Sequence, residues 1–368
     1  MAFMVPQRPD IPDRTGYDPP VTSADSLTRD PSTDSRLTWT SLTLGDAEAL
    51  AALITRADAH DGFEEVTEAA SMREWLTMPG LDLAADSVAV RRDGEMIAFG
   101  IADVATSPDR EGRVRAGIAG VVAPEHRRCG IGTRILDLTE ARAAALAAER
   151  HPDRPAHLRA SGGVDAPAGQ DPTSPGGKRD ARALLELRGY ARARSWSEMT
   201  IALQDADLPV PEIAGGDDVE VIAPGPDHQE PTRLAHAAAF ADHWGSTTPP
   251  PERWAVWWNS HTARPQQSSV ALDQGGTVLG YVVASEDKPS VLHLALVGTR
   301  PEARGRGIAR AVIARSLRAA AEAGFETAEL EVDTESLTGA GRLYESLGFT
   351  VHRVSATYQK PIIPTPGA

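Results

Sequence analysis

One short glycine-containing motif occurs twice in this chain, and it constrains the fold more than any other feature. The two copies are Arg127-Arg128-Cys129-Gly130-Ile131-Gly132 and Arg304-Gly305-Arg306-Gly307-Ile308-Ala309. Each follows an apolar run and a Pro-Glu pair, and each begins an Ala/Leu/Ile-rich stretch with helical spacing. Glycine permits a tight turn from strand to helix, and the first N–H groups of the helix attract an anion. The repeat therefore predicts two phosphate-binding turns.

The repeat also predicts two domains of one fold in tandem. Strand-like and helix-like segments alternate in the same order in both halves, which is typical of an α/β domain. The predicted organisation is a disordered tail at 1–36, an N-terminal domain at 37–203, a linker at 204–218 and a C-terminal domain at 219–360. The tail is rich in Pro, Asp, Ser and Thr, so it buries too little apolar surface to fold. Within the first domain, 151–180 is predicted to be an irregular insertion because Pro, Gly and Asp dominate it.

Composition excludes several classes of protein. The formal net charge of −15 argues against a nucleic-acid partner, because phosphate contacts need a basic face. No apolar run is long enough to cross a membrane, and the N-terminus lacks the pattern of a secretory signal. Cys129 is the only cysteine, which excludes a disulfide within the chain and makes a cysteine-based metal site unexpected. We therefore expect a cytoplasmic protein that acts without a metal, a nucleic acid or a membrane.

Two further motifs accompany the second loop. The apolar strand Leu292–Val297 lies upstream, and Arg342–Phe349, which reads RLYESLGF, lies downstream. This ending resembles the "LYxxxGF" motif of the GNAT superfamily of N-acetyltransferases. Strand, loop and ending in this order identify 37–360 as GNAT-like, and the two-domain layout resembles the mycothiol synthase branch. The resemblance implies that each domain has a central mixed, mostly antiparallel sheet flanked by helices.

The resemblance also implies a site for acetyl-CoA between two strands of the sheet. Val297, Gly298 and Thr299 are expected to pair with its pantetheine arm, and Arg304–Ala309 to hold its pyrophosphate. Ser336, where relatives often carry Asn, is a further expected contact. The first loop predicts a second site of the same kind, formed by Val121, Val122, Arg127, Arg128, Gly130 and Gly132. The alternative for either loop is an ordinary strand-to-helix turn.

Acyl transfer to an amine needs a general base for the amine and a general acid for the departing thiolate. In the family the acid is the Tyr of the "LY" motif, which corresponds to Tyr344, whereas the first domain has Leu185 there. The family base is often a Glu eleven residues before the loop. That position is His293 in the second domain and Ala116 in the first. The resemblance thus implies that the C-terminal domain is catalytic, with a histidine in place of the usual Glu.

Each of these residues also has a purely structural interpretation. Tyr344 could be a packed aromatic, and His293 a buried, hydrogen-bonded histidine. For the acceptor, His243 and Trp244 are the expected contacts, because they interrupt the preceding helix in a tryptophan-rich region. Trp254 and its neighbours at helical spacing are better explained as core residues.

The function predicted from the sequence is N-acetylation of a small-molecule primary amine by direct transfer from acetyl-CoA in a ternary complex. Two alternatives are mycothiol synthase proper, which acetylates a cysteinyl pseudodisaccharide, and a non-enzymatic acyl-CoA-binding protein. A longer acyl donor or a hydroxyl acceptor also stays open.

Overall fold

The structure is a computed structural model. It describes residues 34–62, 66–161, 166–167, 181–204, 218–241, 243–335 and 339–363, together with the isolated positions 208, 211, 213 and 214. Nearly all of the predicted tail and most of the predicted linker lie outside these residues, so the assignments of 1–36 and 204–218 stay predictions.

Strands and helices alternate in both halves of the chain, and short 3-10 turns precede several helices. The elements of the N-terminal half are β1 (Leu37–Thr40), α1 (Ala47–Asp61), α2 (Ala69–Leu76), α3 (Leu83–Asp86), β2 (Ser87–Arg92), β3 (Glu95–Val104), β4 (Val114–Val122), α4 (Ile131–Arg150), β5 (Ala156–Ser161), β6 (Ala166–Pro167), α5 (Arg182–Leu187) and β7 (Ala191–Ala202). Those of the C-terminal half are β8 (Val219–Ile222), α6 (Gln229–Ala239), α7 (Pro251–Trp258), β9 (Ser269–Asp273), β10 (Val278–Lys288), β11 (Val291–Thr299), α8 (Ile308–Glu322), β12 (Thr327–Asp333), α9 (Ala340–Glu345) and β13 (Thr350–Ile362). The shared order confirms the predicted α/β class and its repetition.

All strands in the described residues belong to one continuous sheet. Its order is β1-β2-β3-β4-β5-β13-β7-β12-β11-β10-β9-β8, with β6 paired to β13. Among the strand pairs that the structure describes, two are parallel, β4 with β5 and β11 with β12. The remaining pairs are antiparallel, so the sheet is mixed and mostly antiparallel, as predicted.

The two halves exchange a strand at the centre of this sheet. β7 belongs to the N-terminal half by sequence, but it lies between β12 and β13 and pairs with both. β13 in turn pairs with β5 of the N-terminal half. Each half therefore completes its sheet with a strand of the other. The predicted boundary at 203 assigns β7 to the N-terminal domain by sequence order. In the structure β7 pairs with two strands of the C-terminal half.

The strand exchange predicts that the two halves stay together after the chain is cut between them. With a protease site inserted in 204–218 and cleaved, both fragments are expected to co-elute in gel filtration, because β7 remains hydrogen-bonded on both edges. The same protease site, inserted and cut at the hairpin turn Asp93–Gly94, controls for the effects of the insertion and of the protease treatment. Separation of the halves under native conditions would contradict the exchange.

Strand β5 corrects the prediction of an irregular insertion at 151–180. Ala156–Ser161 pairs in parallel with β4 and in antiparallel with β13, and Leu158 and Ala160 lie in the core. The strand was missed because polar His157 and Arg159 alternate with these apolar residues and Pro and Gly dominate the surrounding sequence. This segment forms a strand because it pairs with strands that are distant in sequence, and strand preference depends strongly on such context.

The largest core lies between the C-terminal part of the sheet and α8. This helix buries one face, including Ile308, Val312 and Leu317, against Leu292 and Leu330 of the parallel strands. Burying one such aliphatic side chain contributes about 1.5–3 kcal/mol. The core thereby fixes β11, β12 and the start of α8 relative to one another. None of the helices in the described ranges has the length and apolar character that crossing a membrane requires.

Helix α7 connects the C-terminal half to the N-terminal half away from the exchanged strands. The guanidinium of Arg253 on α7 donates to both carboxylate oxygens of Asp103 on β3, at 2.8 and 3.0 Å, and to the carbonyl of Pro79 at 2.8 Å. These contacts hold both halves around one face of the sheet, the face opposite α4 and α8.

Candidate active site

The parallel strands β11 and β12 separate part of the way along their length. They pair only over Val291–His293 and Thr327–Glu329. Beyond that point β10 keeps β11 paired through Thr299, and β7 keeps β12 paired through Asp333. The two strands therefore diverge, and a cleft opens between them. Such a cleft accepts an extended ligand that pairs with the free edge of β11 as an added strand would.

The second glycine loop lies at the end of this strand. Gly305 and Gly307 have φ angles of 77° and 87°, and Gly307 caps the start of α8. In this left-handed region a side chain is strained, and a Cβ on Gly305 would meet nothing within 4 Å, so the space above the loop is open. The first N–H groups of α8 have no acceptor within the helix. The loop therefore has the geometry of an anion-binding turn.

Two arginine side chains fix the backbone of this loop. Arg304 donates from Nη2 to the carbonyl of Ala239 at 2.9 Å, and Arg306 exchanges hydrogen bonds with Ala214. Both side chains bind carbonyl oxygens. The loop thus keeps its positive charge, which favours an anionic ligand.

The first glycine loop repeats the turn, but one of its two arginines is paired with a buried carboxylate. Gly130 caps α4 with a φ of 83°, while Arg128 has a φ of 60° where the second loop has Gly305. Arg127 is held by the carboxylate of Asp61 at 2.7 and 2.9 Å, and this carboxylate is only 1% exposed. A buried negative charge thus neutralises the arginine beside this loop. Val121 and Val122 pack against the N-terminal core.

Gly298 contacts a buried tyrosine across the strand pair. Tyr281 on β10 is its direct partner, and a Cβ on Gly298 would lie 2.5 Å from the Tyr281 hydroxyl oxygen. The Tyr281 hydroxyl is 2.6 Å from Nδ1 of His236 on α6. Burial, with a smaller effect of the Tyr344 phenol, raises the pKa of Tyr281. Glycine is therefore required at 298, because any side chain there would clash with the Tyr281 ring.

Tyr344 lies on α9 and is 7% exposed. Its ring packs edge to face against Phe349 with centroids 5.9 Å apart. Burial raises the pKa of Tyr344 to about 12, so the phenol carries its proton throughout the neutral range. The side chain is thus both a packed aromatic and a protonated donor. Its N-terminal counterpart, Leu185, is a core residue.

His293 stands where β11 and β12 begin to diverge. Its cross-strand partner is Glu329, and Nδ1 lies 3.5 Å from Oε1 of that carboxylate. Lys288 donates to the other oxygen of Glu329 at 3.0 Å. Burial alone would lower the pKa of His293, but the surrounding carboxylates, with Glu329 first, outweigh it and raise that pKa. The side chain of His293 keeps 26% of its surface exposed.

His243 and Trp244 follow α6 and lie against strands of the N-terminal half. The His243 ring contacts Trp196 of β7 with centroids 6.3 Å apart, and its Nδ1 is 3.0 Å from the Ser246 hydroxyl. Burial first lowers the pKa of His243, although Asp333 opposes this effect. The loop that carries His243 and Trp244 therefore belongs to the C-terminal half by sequence and packs against strands of the N-terminal half.

The structure bears on the predicted core role of Trp254 but not on the predicted ligand contact of Ser336. Trp254 is buried and donates to the carbonyl of Gln229, in agreement with a core role. Ser336 lies outside the described residues. Among the residues that are described, no cluster of three or more His, Cys, Asp or Glu side chains could hold a metal ion.

The acidic face of β12 is a feature of the candidate site that was not predicted from the sequence. Glu329, Glu331 and Asp333 alternate with Ala328 and Leu330, which belong to the core. This period of two places the three carboxylates on the face that carries His293. The alternation was visible in the sequence, but only the register with β11 shows that it faces the histidine.

Comparison with known proteins agrees with this geometry. The model of the acetyltransferase (GNAT) family matches residues 49–157 and 233–349, one match in each half. Mycothiol acetyltransferase of Thermomonospora curvata is 30% identical over 84% of this chain and 92% of its own length. That of Kineococcus radiotolerans is 30% identical over 82% and 89%.

Solved structures show the same architecture. A GCN5-related N-acetyltransferase from Sphaerobacter thermophilus has a TM-score of 0.65 at 27% identity, over 90% of this chain and 97% of that one. A tandem GNAT protein from the clavulanic acid biosynthesis pathway has a TM-score of 0.64 at 17% identity, over 89% and 99%. The second likeness concerns the fold alone. Two family matches that together span more than half of the chain confirm the resemblance, and the protein is an acyltransferase that belongs to the acetyltransferase (GNAT) family.

Proposed function

We propose that the protein transfers an acetyl group from acetyl-CoA to the primary amine of a small molecule, and that the C-terminal half carries out the reaction. The proposal is supported chiefly by the cleft between β11 and β12, which leads into the open, positively charged loop at Gly305–Gly307. The N-terminal loop supports binding less well, because Asp61 neutralises Arg127 there.

The residues of the cleft fit the binding of acetyl-CoA. The free edge of Val297–Thr299 would pair with the pantetheine amides, and the N–H groups of Arg304–Ala309 would hold the pyrophosphate. Gly298 leaves room for the Tyr281 ring, which a side chain at 298 would displace. Acetyl-CoA would supply an activated acetyl thioester.

In the proposed mechanism two side chains move protons. His293 accepts a proton from the amine, and the amine nitrogen forms a bond to the acetyl carbonyl carbon. A backbone N–H group near Val297 stabilises the charge that develops on the carbonyl oxygen. As the carbon–sulfur bond breaks, Tyr344 donates its proton to the departing thiolate. The raised pKa of Tyr344 keeps this proton in place at neutral pH.

A narrower candidate is the acetylation of a cysteinyl pseudodisaccharide, the mycothiol synthase reaction. Relatives named mycothiol acetyltransferase support it, being 30% identical over most of both chains. His293, in place of the expected Glu, weakens the match. Consumption of the acetyl-CoA thioester, measured by its ultraviolet absorbance with this substrate and with a panel of simple amines, separates the two. If none of the tested amines is acetylated, both candidate functions are wrong.

The role of His293 predicts a specific pH dependence. A base must be unprotonated, so kcat/KM should rise with pH through a His293 pKa that lies above its ordinary value near 6.5. Glu329→Gln removes the carboxylate that raises this pKa, so the rising limb should move to lower pH. His293→Gln should lower kcat by about 10²–10⁴-fold and remove the limb.

The measurement is a pH profile of thiol release for the parent and the two variants. Glu95→Gln, which removes an exposed carboxylate in the N-terminal half, is the charge-matched control and should leave the profile unchanged. A limb that stays in place in Glu329→Gln would exclude His293 as the titrating group.

A further inference from the structure

Four polar side chains lie together on one face of the sheet, where the two halves of the chain meet. We call them the arginine cluster: Arg115 on β4, His157 and Arg159 on β5, and Gln359 on β13. Their neighbours along the strands, among them Leu158 and Tyr358, belong to the core under α4, so the cluster occupies the opposite face. The register pairs Arg115 with His157, and Arg159 with Gln359, so the four side chains are adjacent.

The donors of the arginine cluster have no acceptors in the part of the chain that the structure describes. Both ring nitrogens of His157 and the amide nitrogen of Gln359 are buried without a hydrogen-bond partner there. Burial first, and then Arg113, lowers the pKa of His157 to about 4, so the neutral ring offers one N–H group. No carboxylate in the described ranges forms an ion pair with Arg115 or Arg159. Buried donors of this kind destabilise a fold unless a ligand accepts their hydrogen bonds.

The arginine cluster also carries an excess of positive charge. Asp103 on the neighbouring strand β3 is held at both oxygens by Arg253, at 2.8 and 3.0 Å. Burial lowers the pKa of Arg115, and burial followed by repulsion from Arg115 lowers that of Arg159 to about 10. Both guanidinium groups therefore stay charged at neutral pH. Two adjacent, largely buried cations without a counterion favour the binding of an anion.

The backbone beside Arg159 leaves room for a ligand. Gly117 is the direct cross-strand partner of Arg159, and the pairing of β4 with β5 ends at these two residues. Outside its chain neighbours, a Cβ added to Gly117 would meet only the carbonyl oxygen of Asp103 within 4 Å, at 3.5 Å. On the other side, the Trp244 ring lies 4.8 Å from Cζ of Arg159 and orients its guanidinium. The arginine is thus held in place next to an open position.

The strand register separates the arginine cluster from the proposed transfer site. Through the paired strands, Arg159 is level with Ala191 of β7, and His293 is level with Thr200 of the same strand. These two positions are nine residues apart, which is about 30 Å along a strand. The cluster and His293 are also four strand spacings apart across the sheet. A ligand of the cluster is therefore a molecule other than an acceptor bound at His293.

We propose that the arginine cluster is a binding site for a small oxyanion, a carboxylate or a phosphate, at the junction of the two halves. Planar guanidinium groups match the paired oxygens of both groups, and Gln359 adds a neutral donor. The bound anion contacts β4 and β5 of the N-terminal half and β13 of the C-terminal half. It stabilises the folded chain, because a ligand that binds only the folded state shifts the equilibrium toward it. The inference is independent of the proposed acetyl transfer.

The test is calorimetric titration of the full chain with inorganic phosphate and, separately, with succinate. At least one of these anions should bind saturably, and the pair of titrations distinguishes the two kinds of anionic group. Arg159→Gln and Arg115→Met should each weaken this binding about tenfold or more, because charge-assisted hydrogen bonds are lost. The glycine loops are intact in the parent and in both variants, so binding that depends on these arginines belongs to the arginine cluster.

Thermal unfolding distinguishes an anion site from a cluster that is already neutralised within the chain. Arg115→Met keeps an unbranched aliphatic side chain and removes the charge. In anion-free buffer it should leave the midpoint of unfolding unchanged or raise it, because repulsion from Arg159 is lost. The anion identified by calorimetry should raise the midpoint of the parent more than that of the variant. A lower midpoint of Arg115→Met in anion-free buffer would mean that Arg115 is already paired, and the proposal would be wrong.

Two further variants serve as controls for the titrations. Arg159→Lys retains the charge without the planar fork and should bind with intermediate affinity, which a simple loss of folding would not produce. Arg36→Gln removes a charge of the same sign from a side chain that is 60% exposed and should leave anion binding unchanged. Absence of saturable binding of both anions, or equal affinity in the parent and in Arg159→Gln, would overturn the proposal.

Discussion

Gly307→Glu is expected to abolish saturable binding of acetyl-CoA. Gly307 caps α8 with a φ of 87°, which glycine adopts freely and a side-chain residue adopts at a cost of roughly 1–2 kcal/mol. The substitution also places a carboxylate beside the N–H groups that would hold the pyrophosphate. Repulsion between like charges then adds to the strain, and calorimetric titration of acetyl-CoA measures the combined loss.

Two variants separate these causes. Gly307→Asn has no charge and tolerates the left-handed conformation, so it should retain part of the affinity. Gly130→Glu makes the same change at the matching position of α4, where φ is 83°. If the C-terminal loop is the main site, Gly130→Glu should leave the affinity of that site unchanged. Full binding in Gly307→Glu would remove this loop from the proposed site.

Tyr344→Phe is expected to lower kcat by about 10²–10⁴-fold with little change in acetyl-CoA affinity. Phenylalanine keeps the ring that packs against Phe349 and removes only the hydroxyl. Since the proposed proton transfer occurs while the carbon–sulfur bond breaks, the loss belongs to the transition state rather than to binding. The elevated pKa of Tyr344 also predicts that no falling limb caused by this group appears near neutral pH.

The measurement pairs kcat from thiol release with a dissociation constant from calorimetry. Tyr190→Phe, which removes another buried phenol hydroxyl in the N-terminal half, controls for the loss of a hydroxyl from a core and should keep normal turnover. Unchanged kcat in Tyr344→Phe would show that Tyr344 serves packing alone. A parallel fall in kcat and in affinity would assign it to the binding site.

The parts of this protein that the sequence predicted are those encoded over short stretches. Gly305 and Gly307 predicted a tight turn before a helix, and the repeated pattern around Gly130 predicted a second copy of the fold. The Leu-Tyr pair at 343–344 marked the C-terminal half as the one with a titratable residue at the position of the acid. Each inference needed only a handful of neighbouring residues, because local backbone conformation and helix starts depend on local sequence. The family comparisons confirm the fold and the acyltransferase class, and the residue roles stay predictions.

Only the tertiary structure decided which distant residues meet. The exchange of β7 and β13 and the strand at Ala156–Ser161 depend on hydrogen bonds between segments far apart in sequence, which no local pattern specifies. The same holds for Glu329, which faces His293 because of the register between β11 and β12. Arg159 and Trp244 likewise come from different halves of the chain and stack through tertiary contact. The sequence by itself determined the repeated fold and its two glycine turns, whereas strand pairing determined which carboxylates surround His293.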